Sequence, residues 1–164
     1  MDVGLKNALD LLWAYEQAPP SGRGLAAVGA LESRYRIQLP DDFRAYLLEA
    51  APDKDWWHDQ YYFVLWAPER IKSISDECGE PKPEEPLNPQ IDNDRYLVFA
   101  DFLDWCGYAY AICCSEGPDR GKVAMIGTRP HRLVAVSLAS FFKLMTEDSM
   151  RLHSPGGDHY TDIT

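Results

Sequence analysis

The chain has 164 residues, 46% of them apolar and 12% aromatic, and its 26 acids against 16 bases leave a formal charge of −10. This length suffices for one domain that buries a core without metals or cross-links, and the apolar share excludes wholesale disorder. The acidic balance disfavours phosphate backbones and anionic lipid, which need clustered Lys and Arg; no nucleic-acid or membrane partner is expected, and a basic partner is favoured unless the charge serves solubility alone.

Residues 1–10 carry no basic stretch followed by an apolar run, so no secretory leader is expected. No segment approaches the roughly 18 apolar residues of a membrane span. Cys78, Cys106, Cys113 and Cys114 form no Cys-x-x-Cys pair, and the adjacent Cys113 and Cys114 sit on a predicted strand, where successive side chains face opposite ways. Reduced thiols in a cytoplasmic protein are the expectation.

In chain order, residues 4–17 place Leu5, Ala8, Leu9 and Leu12 at helical spacing before a Pro-Pro-Ser-Gly loop. A second helix is expected over 24–35, with Leu25, Val28, Leu31 and Tyr35 on one side. Pro40 disfavours helix for the residue before it and suits the first turn of the next. Asp41 and Asp42 fit that turn's positive end, and Phe43, Tyr46, Leu47 and Ala50 form its apolar stripe. An aromatic-rich stretch follows over 56–66, with a strand expected at 61–66. Pro68 opens a helical turn over 69–74, and the prolines at 81, 83, 86 and 89 argue against regular structure across 76–93.

From residue 96 the pattern is β, with short apolar runs at 96–102, 108–114, 122–127 and 131–136 separated by turn-bearing connections. An antiparallel meander is predicted. Ser137 is the expected N-cap of a final helix that buries Leu138, Phe141, Phe142 and Met145, and a frayed tail is expected over 149–164. The whole reads as a single α+β domain over 1–164: an antiparallel sheet of four to six strands, with N-terminal helices and a closing C-terminal helix packed against it.

Four segments resemble the SUKH superfamily of Smi/Knr-type domains. Residues 31–48 are similar to its opening of helix, Leu39-Pro40, and a second helix ending in paired Leu47 and Leu48. Residues 64–71 resemble its strand-then-helix step, 96–102 its central strand, and 133–142 its closing strand and helix. The resemblance covers 24–146 in one order, with one departure: Glu49-Ala50-Ala51-Pro52-Asp53 stands where many members have an Asn-Gly-Gly turn. It implies an α+β fold and a protein that works by binding: bacterial members are largely immunity proteins against polymorphic or contact-dependent toxins, and fungal members regulate cell-wall synthesis. It carries no catalytic residue, so no enzyme, cofactor or metal is expected. A regulatory or scaffolding interaction domain is the alternative, and a small hydrolase a distant third.

Candidate partner-binding residues come from three places. Residues 76–94 hold seven acids against Lys82 alone, a local charge of −6, and Glu80, Glu84 and Glu85 lie at the centre. Such a loop either steers a basic toxin domain or is merely solvated. Trp56 and Trp57 are adjacent, so on an extended chain both cannot enter one core; the alternative is that core and loop pack both. Asp101, Asp104 and Trp105 surround the connection between two strands. Simple alternation puts Asp101 on the face of Leu97 and Phe99, either at the sheet's end or as a polar spot in a cleft. His153 and His159 flank Asp158 without a metal-ligand spacing and read as surface residues, and neither a Gly-x-Ser-x-Gly nor a phosphate-binding Gly loop occurs.

Overall fold

The computed structural model describes residues 2–13, 24–58, 62–79, 91–127 and 131–153, without the side chains of 57 and 58. The described elements are α1 (Val3–Trp13), α2 (Gly24–Tyr35), α3 (Asp41–Glu49), β1 (Trp56–His58), β2 (Phe63–Leu65), β3 (Lys72–Ser73), α4 (Ile74–Cys78), β4 (Tyr96–Phe102), β5 (Tyr108–Cys113), β6 (Val123–Ile126), β7 (Arg132–Ala135) and α5 (Leu138–Thr146). Seven strands form an antiparallel sheet: six run in the order β1-β2-β4-β5-β6-β7, the last four of them the predicted meander, and β3 pairs with β4 off this path. The long β4 is the central strand. One of its edges pairs with β5, and the other with β2 along one half and the two-residue β3 along the other.

A bulge in β4 decides which face each side chain takes. Leu97 and Val98 oppose Ile112 and Ala111, but Ala100 and Asp101 oppose Tyr110 and Ala109, which leaves Phe99 without a partner. Directly opposed residues share a face, and one extra residue reverses the alternation beyond it. Leu97, Ala100 and Phe102 therefore lie on one face with Ile112, Tyr110 and Tyr108. Asp101 falls on the other face, with Val98 and Val64. The expectation that Asp101 shares the face of Leu97 and Phe99 is corrected.

The helices pack on the face that carries the rings. Phe99 meets Phe43 of α3 and Phe141 of α5 at centroid distances of 5.6 and 5.2 Å, and Tyr46 meets Phe142 at 5.2 Å. α1 buries Leu5, Ala8, Leu9 and Leu12, and it packs on α5. The Ser137 cap is present as a reciprocal box with Ser140, which satisfies backbone donors at the start of α5.

Several expectations shift. Leu25 is 71% exposed, so the buried stripe of α2 rests on Gly24, Val28 and Leu31. Residues 68–70 form a turn and 72–73 a strand, where a helical turn over 69–74 was expected. Regular structure also runs into the Pro-rich stretch: α4 holds Asp76, Glu77 and Cys78, capped by the Ser73 side chain, which accepts from the Asp76 N–H. The fray expected beyond 148 does not hold for residues 149–153. Met150–Leu152 is a 3-10 turn with Leu152 buried, and the Tyr110 hydroxyl donates to its carbonyl at 2.7 Å. Residues 154–164 and the prolines at 81, 83, 86 and 89 lie outside the described residues.

α2 and α3 meet at a backbone-to-backbone contact. A Cβ on Gly24 would stand 2.0 Å from the Leu47 carbonyl oxygen, whereas one on Gly29 in the same helix would meet nothing within 4 Å. Gly24→Ala should therefore destabilise the fold by about 2–3 kcal/mol, overpacking outweighing the helical gain. Gly29→Ala should stabilise it by about 0.5–1 kcal/mol. Urea midpoints at unchanged m-value measure both, and shifts of the same sign would refute the assignment of Gly24 to a close crossing.

Candidate functional site

Asp101 is wholly buried at the end of β4, and three groups converge on it. Its Oδ2 accepts from Trp66 Nε1 at 2.6 Å and from Arg70 Nη2 at 3.3 Å; its Oδ1 accepts from the Trp105 backbone N–H at 3.1 Å. The Arg70 guanidinium also lies 3.9 Å from the Trp66 ring centroid and bonds Asp55 Oδ2 through Nη1 at 2.5 Å. The other Asp55 oxygen accepts from the Ala67 N–H. Burial raises the Asp101 carboxyl above its ordinary range, against the Trp66 and Trp105 N–H groups and Arg70, which pull it down; the Asp104 carboxylate adds to the rise. A buried carboxylate with this many donors is a structural junction.

The junction supports an unusual loop. Leu103, Asp104 and Trp105 have φ of 54°, 51° and 63°, three successive side-chain-bearing residues in the left-handed region. Such residues normally visit that region singly, at about 1–2 kcal/mol each. Asp101 holds the end of the run through the Trp105 N–H, and the Leu103 N–H donates to the Tyr62 carbonyl at 2.9 Å. The Trp105 ring packs against Gly127, where a Cβ would lie 3.2 Å from Cζ3; its Nε1 is buried with no hydrogen-bond partner among the described residues. Leu103, Asp104 and Tyr62 face outward.

The structure thus brings Asp101, Asp104 and Trp105 together, with Asp104 alone well exposed. Trp56 is half-buried and packs edge-on against Trp13 at 4.7 Å. Trp57 pairs with Val64 in the register, and its side chain lies outside the described residues. Glu80, Glu84 and Glu85 also lie outside them. Asp76 and Glu77 do not belong to a free acidic loop. Asp76 accepts from Arg34 Nη2 at 2.8 Å and from the Tyr35 hydroxyl at 2.6 Å, and Glu77 pairs with Lys72 at 2.6 Å.

Sequence reasoning missed Trp66, Arg70, Asp55, Tyr62 and Leu103. An Arg four residues after a strand-end Trp is a signal for Arg70, but the partner 31 residues on is not readable from pattern. His153, expected at the surface, bridges the Tyr108 hydroxyl at 3.1 Å and Asp148 at 2.5 Å beside the Phe102 ring. It clamps the C-terminal turn to the sheet.

A cleft of about 300 Å³ lies elsewhere, between α2 and the β2–β3 connection. Its walls are Ala26, Ala27, Ala30, Leu31, Pro68 and Ile71, with Arg34 and Glu69 as the charged residues. The lining contains neither His, Ser nor Cys, and Asp101 is not part of it. Among the described residues no group of three or more His, Cys, Asp or Glu is placed to hold a metal ion, and no helix is long and apolar enough to cross a membrane.

An antiparallel sheet covered by helices from the start of the chain and one from its end defines an α+β domain. The model of the SMI1 / KNR4 family (SUKH-1) matches residues 25–144, and the chain belongs to this family. A search of curated proteins found no match.

Asp101→Ala removes the acceptor of three donors, the buried Trp66 indole N–H among them, and should cost about 3 kcal/mol. The pH dependence separates the terms. Because the folded state binds the Asp101 proton more tightly than the unfolded chain, this group's contribution is full below about 3.8 and is lost as pH rises through the higher folded value. The stability gap between wild type and Asp101→Asn should narrow from pH 4 to 7 in urea unfolding; a gap that widens would show that the Arg70 pair dominates.

Proposed function

We propose that the chain is an immunity protein, which binds a cognate toxin domain and blocks it stoichiometrically without catalysis. The observation that carries this reading is the family match over 25–144. It is supported by a net charge of −10, which suits a basic toxin domain such as a nuclease, and by a cleft lined with apolar side chains rather than reactive ones. Cys106, Cys113 and Cys114 form no disulfide among the described residues, as suits action in the cytoplasm. The second reading, a regulatory or scaffolding interaction domain, needs the same kind of surface and differs in its partner.

The test is co-purification and growth rescue with the product of the adjacent gene as the candidate toxin. A one-to-one complex and restored growth are expected, and a stable complex with a non-toxic neighbour would favour the scaffolding reading instead. If residues 80–90 steer the encounter, replacing Glu80, Glu84 and Glu85 by Gln should slow association about tenfold or more at low salt and flatten its salt dependence. An unchanged association rate sinks the steering role.

A further inference from the structure

The exposed tip of the β4–β5 loop combines three properties that ordinary surface turns lack. Its shape is costly, since Leu103, Asp104 and Trp105 all have positive φ, and the Trp105 indole N–H is buried without a partner among the described residues. Strain of this kind persists where the surroundings over-determine it, and it concentrates at working surfaces. The tip is also held rigid from below. Trp105 is tied to the buried Asp101, Asp101 to Trp66 and Arg70, and Arg70 to Asp55. What this frame displays is apolar and acidic: Leu103 is 37% exposed, Tyr62 is 54% exposed, and the Asp104 carboxylate stands between strands on a loop that Leu103 ties to Tyr62 at 2.9 Å. Both guanidinium arms of Arg70 are taken by Asp55 and Asp101, so this cation is not the partner of Asp104.

We propose that Leu103, Asp104 and Tyr62 form the contact surface for the protein partner, and that the partner presents a Lys or Arg flanked by apolar side chains. This rests on the reading of the chain as a toxin-binding immunity protein and names the surface that does the binding. Preorganisation is the physical gain. A tip already locked in its bound shape loses little conformational freedom on docking, so a Tyr and a Leu there contribute more to affinity than the same residues on a mobile loop. The charge on Asp104 selects a cation within that contact and sets its register.

The experiment uses the full chain and a candidate toxin domain, the product of the adjacent gene. Tyr62→Asn, Leu103→Asn and Asp104→Gly are suitable variants because Asn and Gly accept positive φ, so each leaves the fold in place. Leu25→Asn, on an exposed position of α2 that does not line the cleft, is the control. Binding kinetics should show Tyr62→Asn and Leu103→Asn weakening the complex about tenfold or more, chiefly through faster dissociation. Asp104→Gly should weaken binding and reduce its salt dependence while raising the thermal midpoint, since it relieves strain. Leu25→Asn should bind as wild type does. If wild type binds and all three tip variants bind equally well, or if only Leu25→Asn weakens the complex, the surface assignment is overturned and the immunity reading stands. If wild type forms no complex with that toxin domain, the immunity reading fails and this assignment with it.

Discussion

A single unopposed residue in the central strand organises both sides of this molecule. Phe99 bulges from β4 and places its ring among Phe43, Phe141 and Phe142, where α3 and α5 close over the sheet. Its carbonyl accepts the Trp66 N–H at 2.9 Å, which fixes the start of the connection that carries Arg70. The same bulge reverses the alternation beyond it and turns Asp101 toward Trp66 and Arg70. Without the extra residue the carboxylate would point into the ring-filled face, away from Trp66 and Arg70, and would lose the compensation that they give its desolvation. The hydrophobic layer, the buried ion pair and the strained loop thus share one backbone irregularity.

Elements with strong periodicity were legible in the sequence. α2 runs over the predicted 24–35, β4 over the predicted 96–102, and Ser137 caps the last helix as its position before an apolar run implies. What escaped was long-range or hidden by composition. Strict alternation assigned Asp101 to the wrong face because a bulge is a cross-strand property and leaves no mark in one strand's pattern. α4 lies inside a stretch that its prolines seemed to forbid, but those prolines begin at 81, and Ser73 together with the pairs Asp76–Arg34 and Glu77–Lys72 stabilises a single turn before them. Leu25 matched the apolar spacing of α2 and is exposed, since the close crossing at Gly24 rotates the buried stripe toward α3.

The acidity of the chain divides into two populations that the sequence alone does not separate. Glu32, Asp55, Asp76, Glu77 and Asp101 are engaged by arginine or lysine within the fold, and they join α2 to α3, α2 to α4, and the β2–β3 connection to the sheet. These pairs orient elements more than they stabilise them, because most are partly exposed and screened. Asp104 belongs to the other population, with an exposed carboxylate on a rigid tip. Net charge is therefore a poor guide to where a basic partner would dock, and the location of charge relative to rigid backbone is a better one.

The packing of α1 on α5 has a consequence for how the chain reaches its native state. The first helix of the described chain spans 3–13 and finds its apolar partner in the last, over 138–146. An eleven-residue helix is marginal alone in water, so α1 gains its stability only once nearly the whole chain is available. During synthesis the buried side chains of α1, Leu5, Ala8, Leu9 and Leu12, remain without their cover until α5 has emerged. Closure between the two ends then covers the apolar side of α1 late, once α5 is in place on the sheet.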